Sequence, residues 1–160
     1  MDDAEPREHW YDDVAFPALL RAARTAYGDA IRAALDEIGC ADVPRNGAFV
    51  LGGLARNRAP MGEVVRGLGV SKQAGSQVVD TLVVRGYLER TPDPDDRRRM
   101  TVSLTERGRV AATASRSAVE RVDTALAARV GAEAVASARA ALGALITLAR
   151  DHSGETRAAQ

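Results

Sequence analysis

Cysteine and lysine are almost missing from this 160-residue chain: Cys40 and Lys72 are the single examples of each. One cysteine excludes an intrachain disulfide framework, as suits a reducing cytosol, and limits redox chemistry to an intermolecular bridge or a sensing thiol. Beside Gly39, Cys40 reads as an inert thiol. Net charge is also missing, because Lys+Arg and Asp+Glu both total 22. No global field then draws nucleic acid or membrane, and any such binding must come from local patterning. No window approaches ~18 consecutive apolar residues, and the acidic opening MDDAEPREHW lacks the basic and apolar regions of a signal peptide. The expectation is a soluble cytoplasmic chain with no membrane partner. His9 and His152 have no carboxylate or thiol at ligand spacing, and no nucleophile-base pair or phosphate loop occurs. No catalytic residue, metal or cofactor is therefore expected, and the chain does not read as an enzyme. The near-exclusive use of arginine, with abundant alanine, matches the coding bias of a GC-rich genome.

What is present is a run of helical signals interrupted once. Domains commonly reach ~100–150 residues, so a single domain spanning 1–160 is expected. From 14 to 38, Phe16, Leu19, Leu20, Ala23, Tyr27, Ile31, Leu35 and Ile38 recur at three- and four-residue spacing, with Asp12 or Asp13 as cap, Pro17 in the first turn and Gly39 as stop. A second helix begins near Asn46 with Phe49, Val50, Leu51 and Leu54, and ends in the polar ARNRAP before Pro60; a third spans about 61–67. In LGVSKQAGSQVVDTLVVRGYLER, Gly69 suits a left-handed turn and Ser71 a helix cap. Two helices joined by a short glycine-containing turn form a helix-turn-helix signature. In the second of them, Ala74, Val78 and Leu82 form an apolar stripe and Gln73, Ser76, Gln77 and Asp80 a polar one. Gly75, costly in a helix, suits close approach to a ligand such as DNA.

The interruption is a hairpin. After Gly86, Tyr87 to Thr91 reads as one strand, and Met100, Val102 and Leu104, alternating with Thr101 and Ser103, as the returning one. Its tip is DPDDRRR, residues 93–99, where Pro92 and Pro94 cannot donate to a strand ladder and so keep the loop irregular. Residues 90–99 carry four arginines against three acids, so geometry suits them better than bulk attraction. Taken alone, such a charge run reads as a solvated turn. Beyond Thr105 only helical signals remain: one helix with Val119, Val122 and Leu126, then after Gly131 another with Val135, Ala138, Leu142, Leu145 and Ala149 on a short coiled-coil-like seam. The tail from 151 is polar.

Helix, turn, helix, hairpin is the order of a winged helix, in which a helix fits the major groove while a hairpin reaches the minor groove. Gln73, Ser76 and Gln77 suit base edges, since a Gln amide pairs with adenine N6 and N7, and Ser71 or Lys72 suits phosphate at the helix N-terminus. An ordinary solvated polar face is the other reading of that helix.

The wing resembles that of the MarR family of bacterial transcription regulators. The family pattern R-x-x-D-x-x-D-x-R-x-x-x-x-x-L-T-x-x-G is filled without a gap by Arg90, Asp93, Asp96, Arg98, Leu104, Thr105 and Gly108, with GVSKQAGSQ leading into it. The resemblance covers about 14–150. It implies a mainly α (α+β) fold: a winged helix-turn-helix at about 46–104 with a two-stranded wing, dimerisation helices at about 14–38 and 105–150, and tails at 1–13 and 151–160. It further implies a homodimer that binds double-stranded DNA at a pseudo-palindromic operator, most often as a repressor. Arg98 then matches the minor-groove arginine, Asp96 holds it, and Arg90 completes the cluster, with Arg97 and Arg99 beside it. Relatives keep a pocket for a small aromatic or phenolic ligand, for which Trp10, Tyr11, Phe16, Tyr27 and Phe49 are the candidates here; aromatics at helical spacing are also ordinary core. Two departures stand out. Peroxide-sensing relatives place a cysteine near the start of the first helix, whereas Cys40 lies after its end, and the position of Gln77 often holds a cation. A winged helix that uses no ligand, or serves protein contacts, is the competing class.

Overall fold

A computed structural model describes the backbone of residues 9–55, 59–93, 96 and 99–158. The chain divides into two compact units, Met1–Val119 and Glu120–Gln160. Among the described residues no single helix is long and apolar enough to cross a membrane.

In the first unit, α1 spans Phe16–Glu37 with Pro17 in its first turn, where the missing N–H costs nothing. Its cap is Ala15, which has no side chain to bond; Asp12 instead accepts the His9 N–H at 3.0 Å, so neither Asp12 nor Asp13 caps the helix. Gly39, at φ 71°, ends the helix in a Schellman motif: Gly39 N–H donates to the Asp36 carbonyl and Cys40 N–H to that of Leu35. Of its apolar stripe Leu35 is buried, Leu19, Leu20, Tyr27 and Ile31 are half-buried, and Phe16, Ala23 and Ile38 are exposed in the single chain.

Helices α2 (Gly47–Leu54), α3 (Met61–Gly67) and α4 (Lys72–Val84) follow. Gly69, at φ 64°, makes the turn between α3 and α4. The buried positions of α4 are Gly75, Val79 and Leu82, one residue off the expected stripe, because Ala74 is exposed and Val78 half-buried. Gly75 is the reason. A Cβ there would stand 2.8 Å from Val65 Cγ1 and 3.4 Å from the Val65 carbonyl oxygen. The glycine therefore serves the contact between α3 and α4, and its expected role in approaching DNA is corrected.

Strands β2 (Leu88–Pro92) and β3 (Met100–Leu104) form the wing in register Leu88↔Leu104 to Pro92↔Met100. A third strand, β1 (Ala59–Pro60), pairs with the other edge of β3 and gives the order β1-β3-β2. Two residues are too few for an alternation signal, and Pro60 tolerates the position because β1 is an edge. Met100 is exposed and Thr101 buried, against the expected alternation; the Thr101 hydroxyl is satisfied by the Thr91 hydroxyl at 3.0 Å and the Thr91 carbonyl at 3.2 Å. Helix α5 (Glu106–Val130) then departs.

One core joins these elements: Leu35, Cys40, Val50, Leu51, Leu54, Val65, Val79, Leu82, Tyr87, Leu88, Val102, Leu104 and Ala111 contribute to it. In the second unit the end of α5 and α6 (Ala132–Ala158) are tied by Arg139 donating to Asp123 at 2.8 Å. Among its described side chains none is buried, and Leu142, Leu145, Ile146 and Leu148 stand exposed. The Ala149 side chain and His152 lie outside the described side chains.

Candidate nucleic-acid interface

Helix α4 offers one face to solvent because its other face is spent on α3 and the core. Ser71 caps it, its Oγ accepting the Ala74 N–H at 3.2 Å. Lys72, Gln73 and Gln77 are exposed and Ser76 is half-buried. A hydroxyl bond from Thr81 to the Gln77 carbonyl, 2.8 Å, lies one turn on. The expected contact residues therefore share the N-terminal half of one exposed helix.

Lys72 and Ser76 also line an open groove of about 580 Å³ between α3, α4 and the start of β3, together with Met61, Arg66, Arg99 and Met100. Its lining carries three cations, Arg66, Lys72 and Arg99, against one acid, Glu63. The groove thus brings α4 and the wing base to one surface with an excess of positive charge, although the chain as a whole has zero net charge.

The wing closes through its backbone: Asp93 N–H donates to the Arg99 carbonyl at 2.9 Å and Arg99 N–H to the Asp96 carbonyl at 2.8 Å. Asp96 and Arg99 are exposed. Arg97 and Arg98 lie outside the described residues, and with them the expected Asp96–Arg98 pair. The Arg90 guanidinium pairs with Asp80 of α4, a partner to which the sequence did not point, so its charge ties the wing to α4.

A second cluster, which periodicity gave no reason to expect, fixes the far end of α4. The helix ends in another Schellman motif, with Gly86 at φ 73° and the N–H groups of Gly86 and Tyr87 on the carbonyls of Val83 and Leu82. Tyr87, fully buried, donates its hydroxyl to Asp42 Oδ1. Arg107 of α5 lies 4.3 Å from the Tyr87 ring centroid, pairs with Asp42 at 3.0 Å and donates to the Arg85 carbonyl at 2.7 Å. Arg85 itself donates to the Asp42 carbonyl. The Tyr87 hydrogen bond, helped by Arg107, holds the Asp42 carboxyl below its ordinary range, while burial and then the Asp42 bond push the Tyr87 phenol up. These residues are 45 and 65 positions from Asp42. Arg107 stands at a variable position of the L-T-x-x-G segment.

That segment is now explained. Thr105 caps α5 by accepting the Gly108 N–H at 3.0 Å and donates to the carbonyls of Gly86 (2.6 Å) and Tyr87 (3.1 Å). A Cβ on Gly108 would lie 2.0 Å from the Tyr87 carbonyl oxygen. The glycine lets α5 start directly against the β2 backbone.

None of the five aromatic candidates lines the groove between α3, α4 and β3. Trp10 is 79% exposed, and Tyr11 and Phe16 are exposed too; Tyr11 stacks on His9 and meets Trp10 edge-on. Tyr27 is half-buried. Phe49 is 60% exposed on α2, with the Arg24 guanidinium 5.7 Å from its centroid. Cys40 is buried, its sulfur weakly donating to the Ile38 carbonyl. Among the described residues no cluster of three or more His, Cys, Asp or Glu has the arrangement of a metal site.

Residues 41–99, from the Asp42 loop through α4 to the wing, match the sequence model of the MarR family. A 50-residue stretch is 44% identical to YdcH, a helix-turn-helix-type transcriptional regulator of Bacillus subtilis, covering 31% of this chain and 34% of that one. The winged-helix segment is thus similar to that of the MarR family. The MarR-type fold extends beyond the matched segment. A crystal structure of a probable transcriptional regulator from Pseudomonas aeruginosa is 25% identical, with a TM-score of 0.67 over 83% of this chain and 98% of the other. The reduced form of MarR from E. coli, 22% identical, aligns with a TM-score of 0.66 over 84% and 98%. The S. aureus MepR–DNA complex, 17% identical, aligns with a TM-score of 0.70 over the same shares, which speaks for the fold alone. The chain spans about a third (34%) of the length of the curated relative it matches.

Proposed function

We propose that this chain is a MarR-family transcription regulator that binds double-stranded DNA as a homodimer. The observation that carries the reading is the shared surface of α4 and the wing base: exposed Lys72, Gln73 and Gln77 beside a groove holding Arg66 and Arg99. Gln73, Ser76 and Gln77 read base edges, Ser71 and Lys72 hold phosphate at the helix start, and the wing arginines Arg97, Arg98 and Arg99 follow the minor groove. MepR, which shares the fold, has been crystallised on DNA. The uncovered apolar residues of α1 and α6 support pairing with a second copy, and a two-fold dimer requires a pseudo-palindromic operator.

We further propose repression relieved by a small aromatic or phenolic molecule bound near α1 and α2. Its support is Phe49, exposed beneath Arg24, and the exposed Trp10, Tyr11 and Phe16, which a second copy would help enclose. The scatter of these aromatics in the single chain favours the competing ligand-free regulator. Trp10 fluorescence titrated with salicylate-like acids, in parallel with DNA binding, separates the two; a ligand that binds without changing DNA affinity contradicts relief by linkage.

The DNA-binding claim is tested by paired substitutions on a duplex that the protein itself selects from a random pool. Lys72→Ala is expected to weaken binding to all sequences and to reduce the salt slope by ~1. Gln73→Ala is expected to cost ~1–3 kcal/mol on the selected duplex and to relax preference at one position. Equal losses on selected and scrambled duplexes for both variants would contradict the assigned roles.

A further inference from the structure

We propose that the Asp80–Arg90 pair is a positioning strut: it sets the wing against the recognition helix so that both engage one duplex in register, and Arg90 acts through Asp80 without touching DNA. The inference rests on the DNA-binding reading above.

The pair lies where such a strut is needed. Strand β2 leaves α4 through the Gly86 turn, so the two elements are joined covalently at that end, where the N–H groups of Gly86 and Tyr87 also bond. Asp80 stands four residues before the end of the helix and Arg90 two residues into the strand beyond Leu88, and their ion pair bridges the elements ten positions apart.

Both side chains are directed there by local periodicity. Leu88 is buried, and residues two apart on a strand share a face, so Arg90 emerges on the same side as Leu88 and reaches the helix. Glu89, on the opposite face, accepts from Ser103 at 3.0 Å. On α4, Asp80 continues the row of Gln73 and Ser76 at helical spacing. An acid on the stripe offered to base edges repels the phosphates on either side unless it is neutralised. Arg90 neutralises it, and the side chains remain 32% and 55% exposed, so the pair is a surface tie that contributes little to overall stability.

Asp80→Asn keeps the shape and removes the charge pair. On a duplex selected by the wild-type chain, the strut predicts binding weakened by about tenfold or more, with binding to a scrambled duplex at the same salt changed by less than about threefold. The charge-swapped Asp80→Arg/Arg90→Asp chain is expected to recover selected binding to within about threefold of wild type, with the melting temperature of both variants near wild type. Tighter binding by Asp80→Asn would overturn the proposal in favour of a merely repelling acid. Unchanged binding by Asp80→Asn with no recovery in the swap would overturn it in favour of Arg90 as a direct phosphate contact. A lowered melting temperature with equal losses on both duplexes would assign the pair to fold stability and also overturn it. Each of these results leaves DNA binding standing; failure of the wild-type chain to select any duplex would remove that reading and the strut together.

Discussion

Among the described glycines, Gly108 meets the closest backbone approach. The Tyr87 carbonyl oxygen that a Cβ would meet at 2.0 Å also accepts from the Thr105 N–H and hydroxyl, both at 3.1 Å, and the added atom would sit 3.3 Å from Leu104 Cδ2. No rotamer relieves a clash with backbone, so α5 must move off β2 and weaken the Thr105 cap. Gly108→Ala is expected to destabilise the fold by ~1–3 kcal/mol or more, read as a lower urea midpoint. An unchanged midpoint would show that the approach of helix and strand is looser than described. The same logic separates Gly75 from its first interpretation. A glycine in a recognition helix suggests room for DNA when only sequence is in view, yet the neighbour it accommodates is Val65. Sequence marks that a position lacks a side chain and is silent on which neighbour requires it.

At the scale of elements, α4 is fixed at both ends by interactions of different origin. Its start is local: Gly69, the Ser71 cap and the polar stripe were legible because they repeat within a few residues. Its far end is tied by Asp42, Tyr87 and Arg107, whose partners are remote in sequence and follow no period. Titration tests this tie. The Asp42 carboxyl is held below its ordinary 3.8 in the fold, so its contribution is present above that value and is lost as pH falls below it. The Tyr87 phenol is pushed above its ordinary 10.0, so its contribution is present below that value and is lost as pH rises past it, where the unfolded chain ionises first. The stability difference between wild type and Asp42→Asn is therefore expected to narrow on acidification below 3.8. One of the 3 tyrosines is expected to gain phenolate absorbance only with unfolding. Full ionisation of all three in the native chain would contradict the buried bond. The hairpin was legible from its prolines and alternation, whereas β1 was not, being two residues long and paired with the distant β3. Likewise Arg90 carried a motif position, but its partner on α4 could only be seen once helix and strand were folded together.

For the whole molecule, zero net charge and the proposed DNA-binding role are reconciled by where the charges stand. Arg66, Lys72 and Arg99 gather at one groove, while Asp42 and Asp80 are neutralised by Arg107 and Arg90. The long helices α1 and α6 were legible as amphipathic, and their uncovered apolar residues are what a second copy would bury. Hydroxyl-radical footprinting of the wild-type chain on a duplex it has selected tests both parts of this account together. The expected result is an inverted repeat with two protected major-groove patches one helical turn, ~34 Å, apart and flanking minor-groove protection from the wings. A single unsymmetrical patch, or no sequence preference in the selection, would contradict a dimeric winged helix reading DNA through α4.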